Sequence, residues 1–408
     1  MDKVKFKERC MGYMNKLCID ITERCVGSEG NRQASLFFKE RLKSLGWQTI
    51  SQEFSAMDWK NDGAVLQINK QDFRVQVSPY SLGFQGAAQL ESASTIAELE
   101  NGDFKGKILL LHGELVKEQL MPKNFVFYNP EEHQKIVTAL EQSGALALIC
   151  ATERNASLAG GVYPFPLIED GDFDIPSVYM TEEDGEKILK LIGKTATLKI
   201  SAERIPSKGY NVVGKIGGEE GKRIVVTAHI DAKKGTPGAT DNATGITVLL
   251  ILAELLQDYK GSRQIELVAF NGEDDYAVPG QMKYITENKG KFENILLNVN
   301  IDGAAYKKGK TTFSFFDLPK DIKKASSSSM KGYPDVKEGV QWPQGDHSIF
   351  LQYGVPAIAV SSEWFIESDE GQDITHTEKD NMEIVDIDKV IEIAEILNKL
   401  IKAIEKMQ

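Results

Sequence analysis

The stretch IVVTAHID, residues 224–231, decides the fold of this chain. It is a short apolar run that predicts a buried strand, and it ends in histidine and aspartate. Two similar runs follow, IELVAF at 265–270 and ILLNVNI at 295–301, and a helical stretch from about residue 243 to 259 lies between the first run and the second. Strands and helices that alternate in this way predict an α/β fold with a mostly parallel or mixed central sheet flanked by helices.

The remaining sequence divides around this pattern. Residues 3–47 have apolar residues at helical spacing and predict helices that pack on the sheet. Short alternating apolar runs and strand-helix pairs between residues 62 and 204 predict a smaller, β-rich α+β domain. We therefore expect a larger domain made of 1–61 and 205–408, with 62–204 inserted into it. The serine run at 326–329 is interpreted as an exposed loop.

Composition and charge restrict the class of protein. The 408 residues include 48 Lys plus Arg and 60 Asp plus Glu, which gives a formal net charge of −12. Because this charge would repel phosphate backbones and anionic lipid head groups, we expect neither nucleic acid nor a membrane as a main partner. The N-terminal residues lack the apolar core of a signal peptide. A cytoplasmic location is the default expectation, and a secreted or periplasmic one would follow if a signal peptide had been removed.

Polar side chains follow the ends of the predicted strands. They are His229, Asp231, Asp241, Glu273, Asp274, Asp302 and His376. Open α/β sheets place their ligand sites at the carboxyl ends of the strands, and imidazoles with carboxylates are the ligands of zinc sites that remain open to water. Taken singly, each residue has another explanation: Asp241 could cap the following helix, and Glu273 and Asp274 could form a solvated turn. Their occurrence together favours a metal site.

Five short motifs give the chain a resemblance to a known family. In order they are HID at 229–231, GATDNATG at 238–245, GED at 272–274, NIDG at 300–303 and HTEKD at 376–380. These motifs resemble those of the co-catalytic di-zinc exopeptidases, which include bacterial leucyl aminopeptidases, glutamate carboxypeptidase and, without the chemistry, the transferrin receptor. The resemblance extends from about residue 211 to the C terminus. Residues 62–204 resemble, more weakly, the protease-associated domain that members of this family often carry as an insertion.

The resemblance implies that the protein binds two zinc ions, and it assigns the ligands of each ion. Asp241 would bridge the two ions. His229 and Asp302 would complete one site, and Asp274 with His376 would complete the other. Two metal ions about 3.5–4 Å apart require a bridging carboxylate of this kind, and together they can activate one water. Cobalt or manganese are other candidate metals.

The resemblance also implies roles for two further acids. Glu273 would be the general base that takes a proton from the water and passes it to the leaving amine. Asp231 is suited to accept the second N–H of His229, and a simple turn residue is the alternative. The acidic run is one residue longer than in many relatives, which leaves Asp275 open as the ligand in place of Asp274. We favour Asp274 because it directly follows the proposed base.

The segment WPQGDHS at 342–348 resembles the Asp-His region of the same family. Trp342 stands where some relatives place a tyrosine hydroxyl that polarises the substrate carbonyl, and its indole N–H could donate one hydrogen bond. Asp346 and His347 are candidate pocket residues. A helix cap before Ile349 is an equally good explanation of these two.

These features predict a metal-dependent exopeptidase and favour an aminopeptidase that acts on peptide substrates. A site dense in carboxylates would hold an α-ammonium group by charge. A terminal carboxylate is better held by arginine, and there is no Arg from Gln264 to Gln408. The alternatives are a single-zinc aminoacyltransferase of the glutaminyl-cyclase type, a carboxypeptidase, or a non-catalytic binding protein on the same scaffold. The sequence does not indicate the oligomeric state.

Overall fold

The computed structural model describes residues 3–125, 129–154, 162–274, 278–367 and 373–407. The chain divides into two compact units. The larger unit consists of Met1–Ala56 and Lys208–Gln408, and the smaller unit is Met57–Ser207.

The strands of the described residues are β1 (Gln48–Ile68), β2 (Gln71–Phe73), β3 (Gln76–Val77), β4 (Phe84–Ala93), β5 (Ile108–Leu111), β6 (Ala147–Thr152), β7 (Ser177–Thr181), β8 (Thr195–Ile216), β9 (Arg223–His229), β10 (Ile265–Phe270), β11 (Ile295–Ile301), β12 (Thr311–Phe316), β13 (Val336–Glu338) and β14 (Ala357–Ser362). The division between the units falls within β1 and within β8, so each of these long strands contributes to both units.

The α-helices of the same residues are α1 (Lys3–Asn15), α2 (Glu29–Ser44), α3 (Ile96–Asn101), α4 (Glu131–Gln142), α5 (Glu182–Leu189), α6 (Thr244–Leu255), α7 (Pro279–Glu287), α8 (Lys320–Ser329), α9 (His347–Gln352), α10 (Glu363–Glu367) and α11 (Ile387–Glu405). None of them has the length and apolar character needed to cross a membrane.

Parallel strands form the centre of the larger unit. The order across its sheet is β13-β12-β14-β11-β9-β10-β8. Strands β14, β11, β9 and β10 are parallel, whereas β12 and β8 pair antiparallel with β14 and β10. The register places Phe270 beside His229 and Asn300 beside Thr227, so β9, β10 and β11 end at the same edge. The predicted mixed sheet flanked by helices is confirmed.

Helices cover both faces of this sheet. Ile224 and Val226 of β9 face a core that also contains residues of α1, α6 and α11. Helix α6 is buried over most of its length because its sequence, TGITVLLILAEL, is apolar almost all round. On the other face, Phe270 packs edge to face on Tyr284 of α7, with ring centroids 5.1 Å apart, and Tyr284 contacts Phe350 of α9. This packing fixes the strand ends that carry the polar residues.

The serine run is not a loop, and that prediction was wrong. Ser326 and Ser329 lie in the last turns of α8 and are buried. Their hydroxyls donate to the carbonyl oxygens of Ile322 at 2.8 Å and Ala325 at 2.9 Å. Because Ile322 and Ala325 give the helix a buried apolar face, packing outweighs the modest helix propensity of serine.

The smaller unit has its own sheet and core. Its strand order is β8-β4-β5-β6-β7-β3, with β4 to β7 parallel and the two outer strands antiparallel to their neighbours. Leu109 and Leu111 of β5 face one hydrophobic cluster, and Ile108 and Leu110 face another on the opposite side. The smaller unit therefore buries apolar surface on both faces of its sheet.

Candidate metal centre

Strand ends and loops of the larger unit bring the candidate residues together. His229 is the last residue of β9, and Asp302 directly follows β11. The acidic pair 273–274 lies just after β10, and two loops contribute Asp241 and His376. Since β9, β10 and β11 are parallel neighbours, their carboxyl ends meet at one edge of the sheet, as expected for a ligand site in an open α/β fold.

The carboxylate of Asp241 lies between the two imidazoles. Its Oδ1 is 3.1 Å from Nε2 of His229, and its Oδ2 is 3.2 Å from Nε2 of His376. Oδ1 of Asp302 is 3.4 Å from the same nitrogen of His229, and Oδ1 of Asp274 is 3.0 Å from the same nitrogen of His376. The side chains thus form two groups of three that share Asp241.

The donor atoms of these groups fit zinc, which takes imidazole nitrogen and carboxylate oxygen in sites open to water. One such atom each from His229, Asp241 and Asp274 lie within 4.8 Å of one another. Oδ2 of Asp274 is buried without a hydrogen-bond partner among the described residues. The His376 side chain is 40% exposed and that of His229 only 1%, so solvent reaches the cluster from the side of His376. Asp275, the alternative to Asp274, lies outside the described residues.

The carboxylates of the cluster raise the pKa values of both histidines. Partial burial disfavours a charge on His376, but Asp274 and Asp241 outweigh this effect and raise the pKa of His376 to about 10. Burial also disfavours ionisation of Asp241, but hydrogen bonds with His229 and His376 lower its pKa below the usual range. Burial raises the pKa of Glu273. The arrangement therefore attracts positive charge, as a cation site must.

Asp231 connects two parts of the cluster. Its side chain is 1% exposed, and its Oδ1 is 3.7 Å from Nδ1 of His229. This distance is longer than a hydrogen bond, so the predicted bond to the second N–H of His229 is not formed in the structure. Its carboxylate also accepts the backbone N–H groups of Glu273 at 3.3 Å and Asp274 at 3.1 Å. Asp231 therefore joins the end of β9 to the turn that carries the acidic pair, and this second contact could not be predicted from the spacing of the motif.

The predicted pocket residues lie together at the start of α9, where Asp346 and His347 are buried and Trp342 is half-buried. Oδ1 of Asp346 accepts a hydrogen bond from Nε2 of Gln281 at 2.8 Å, and the Asp346 side chain does not cap the helix. Nε2 of His347 donates to the carbonyl of Trp342 at 3.0 Å, and the two rings pack edge to face at 4.7 Å. The indole nitrogen is buried without a partner among the described residues. Burial raises the pKa of Asp346 to about 7, although the nearby charge of His229 opposes this shift.

Sequence reasoning missed the residue that holds the loop between His229 and Asp241. Arg24, which precedes α2, is 2% exposed. Its guanidinium donates to the backbone carbonyls of Leu17, Ile230, Pro237 and Gly238. A buried arginine needs hydrogen-bond acceptors, but backbone carbonyls cannot be recognised in a sequence. The sequence showed only an arginine within a helical segment, which does not indicate a role in this loop.

Residues 211–401 match the family described as Peptidase family M28. This range contains His229, Asp241, the acidic pair 273–274, Asp302 and His376. The segment of the chain that carries these candidate ligands therefore matches a peptidase family, which confirms the resemblance stated from the sequence motifs.

Two curated relatives are named as aminopeptidases. Aminopeptidase YwaD from Bacillus subtilis (strain 168) is 24% identical over 317 residues, which cover 74% of this chain and 63% of that protein. The probable lipoprotein aminopeptidase LpqL from Mycobacterium tuberculosis (strain ATCC 25618 / H37Rv) is 24% identical over 286 residues, which cover 68% of this chain and 54% of that protein. The matches thus span between 54% and 63% of the length of these relatives.

Two solved structures share the fold. The aminopeptidase from Aneurinibacillus sp. strain AM-1 has a TM-score of 0.73 at 20% identity, over 97% of this chain and 93% of that one. BSAP, a zinc aminopeptidase from Bacillus subtilis, also has a TM-score of 0.73 at 20% identity, over 97% of this chain and 94% of that one. At these identities the likeness shows the fold alone.

Proposed function

We propose that the chain is a zinc-dependent aminopeptidase that releases N-terminal amino acids from peptides. The observation that carries this proposal is the position of Asp241, whose two carboxylate oxygens face His229 and His376 separately. A carboxylate shared by two ligand groups is what a pair of metal ions needs in order to act on one water. The relatives named as aminopeptidases and the zinc aminopeptidase of the same fold support the proposal.

Asp241 would bridge two zinc ions, with His229 and Asp302 completing one site and Asp274 and His376 the other. When bound, the ions would polarise the scissile carbonyl and lower the pKa of a water molecule. The water could then lose a proton and attack the carbonyl at neutral pH. Cobalt or manganese could take the same ligands, because imidazole and carboxylate suit several divalent metals.

Glu273 would accept the proton of the attacking water and deliver it to the leaving amine. A general base in this position contributes typically about 10²–10⁴-fold to the rate. The hydrogen bond from the Glu273 N–H to Asp231, at 3.3 Å, supports this role because it fixes the backbone of Glu273 relative to the end of β9. Asp231 would act by holding the backbone of Glu273 and Asp274 in place beside His229.

The charged residues around the centre favour an aminopeptidase over a carboxypeptidase. Carboxylates attract the α-ammonium group of a peptide, whereas a C-terminal carboxylate would call for an arginine fork. No arginine occurs from Gln264 to Gln408. Arg223 begins β9, at the opposite edge of the sheet from His229, which ends it.

An assay of the zinc-loaded protein on aminoacyl-nitroanilides and on one peptide with free or blocked ends tests this proposal. We expect release of amino acids from the free N terminus and none from an N-acetylated peptide. Cleavage from the C terminus would indicate a carboxypeptidase. Cyclisation of N-terminal Gln without amino-acid release would indicate the glutaminyl-cyclase type, and no turnover across the panel would indicate a binding protein.

We propose separately that residues 62–204 form the inserted domain that resembles the protease-associated domain. The hydrophobic clusters on both faces of the sheet in the smaller unit support a domain with its own core. The cytoplasmic location stays a prediction from the sequence.

A further inference from the structure

We propose that Asp380 is a positioning residue that fixes the bridging carboxylate of Asp241 by holding the backbone of the loop that carries it. This inference rests on the proposed function, because it assigns Asp380 to the zinc centre of the aminopeptidase. Asp380 lies four residues after His376 and is fully buried. It belongs to neither of the two ligand groups.

Both carboxylate oxygens of Asp380 accept hydrogen bonds from this loop. Oδ1 accepts the backbone N–H of Thr240 at 2.7 Å and the Thr240 hydroxyl at 2.8 Å. Oδ2 accepts the backbone N–H of Asp241 at 3.0 Å. The backbone carbonyl of Asp380 accepts the N–H of Ala239 at 3.1 Å. A single residue thus binds the N–H groups of three consecutive loop residues.

The loop depends on these contacts because its backbone is not helical at the bridging residue. Asp241 has φ −122° and ψ 83°, and Asn242 has φ −140° and ψ 45°, although α6 begins at Thr244. Buried N–H groups that lack helical partners require acceptors from elsewhere, and a carboxylate is a strong one. Asp380 therefore determines how the backbone presents the Asp241 side chain.

The segment that contains Asp380 also carries His376. The carbonyl of Thr377 accepts a hydrogen bond from the hydroxyl of Thr236 at 2.8 Å, so this segment contacts the loop a second time. The two contacts hold Asp241 and His376, ligands of the same group, at a separation of 3.2 Å between Oδ2 and Nε2. Loss of the Asp380 carboxylate would loosen this pair while leaving every ligand in the chain.

Asp380→Asn tests the proposal at nearly constant side-chain volume. The amide of asparagine has only one oxygen, and its N–H₂ group faces a backbone N–H that it cannot accept. One of the two backbone hydrogen bonds, to Thr240 or to Asp241, is therefore lost. We expect the zinc dissociation constants of the folded variant, measured by competition with a chelator, to rise about 10–100-fold, as for other residues that orient metal ligands. We also expect a changed visible absorption spectrum of the cobalt-loaded variant.

Thr240→Val is the matched control, because it removes the hydroxyl donor and keeps both backbone N–H bonds to Asp380. Its zinc dissociation constants should stay within about threefold of wild type. Asp380→Ala is measured alongside, because it removes the acceptor without placing a donor group against a backbone N–H. The test therefore does not depend on the folding of the Asn variant.

A merely structural role would lower the thermal midpoint of zinc-free Asp380→Asn and leave the zinc dissociation constants and the cobalt spectrum of the folded protein unchanged. That result would overturn the proposal for Asp380 and leave the proposed function standing. Wild-type protein that binds two zinc ions but hydrolyses no peptide would overturn the proposed function, and the effect of Asp380→Asn on zinc binding would still decide the role of Asp380. Wild-type protein that binds no metal would overturn both.

Discussion

Glu273 is the residue whose replacement should separate the chemistry from metal binding. Glu273→Gln keeps the size of the side chain but cannot accept a proton, so we expect kcat on an aminoacyl-nitroanilide to fall about 10²–10⁴-fold. The zinc content should stay at the wild-type value, because Glu273 is not a proposed ligand. Steady-state kinetics and elemental analysis of the same preparation provide the two measurements.

Asp274→Asn is the matched control for this experiment, since it makes the same change of charge at the adjacent residue. It should reduce zinc content as well as activity, because Oδ1 of Asp274 faces His376 at 3.0 Å in the cluster. Wild-type turnover by Glu273→Gln would exclude Glu273 as the base.

The sequence predicted single residues best where chemistry and position coincide. His229, Asp302 and Glu273 could be singled out because each stands at or just after the end of an apolar strand, where an α/β sheet places ligands. Arg24 could not be found in this way, because its partners are backbone carbonyls brought near only by folding. Asp380 lies within a recognised motif, but its contacts are to the backbone of a distant loop.

The loop between β9 and α6 is the element on which the bridging position depends, and Arg24 holds its backbone. Arg24→Met keeps much of the side-chain length but leaves buried carbonyls, such as those of Ile230 and Gly238, without this donor. We expect the free energy of unfolding of the larger unit, measured by urea titration, to fall by about 3 kcal/mol. Arg24→Lys retains the charge but not the planar fork, so it should lose less. A loss below about 1 kcal/mol in the Met variant would contradict this role.

Elements with strong local patterns were predicted closely, and those that depend on distant partners were not. The apolar run at 265–270 is β10, with the same bounds. The helix expected from about 243 to 259 ends at Leu255. The long strands β1 and β8 include exposed polar stretches, and their pairing partners lie far away in the sequence, so periodicity alone does not define them. The serine run in α8 was misjudged because buried neighbours, rather than serine itself, decide its conformation.

The division of the chain into two compact units should be visible in its unfolding. Each unit has its own hydrophobic clusters, so we expect more than one thermal transition. Zinc at about 100 times its Kd should stabilise the larger unit by about 2.7 kcal/mol and leave the other transition in place, because all proposed ligands belong to the larger unit. Differential scanning calorimetry with zinc and with a chelator measures this difference. A single transition with equal calorimetric and van't Hoff enthalpies would contradict it.

Counting bound metal tests the shared role of Asp241 most directly. The protein is loaded with zinc, separated from free metal by gel filtration and analysed for zinc per chain, together with Asp241→Ala. We predict two zinc ions per wild-type chain and a large loss from both positions in the variant, because the Asp241 carboxylate faces both ligand groups. Two results would contradict a centre built on this carboxylate. One is a wild-type chain that binds no zinc, and the other is a chain that binds one zinc ion whose content Asp241→Ala leaves unchanged.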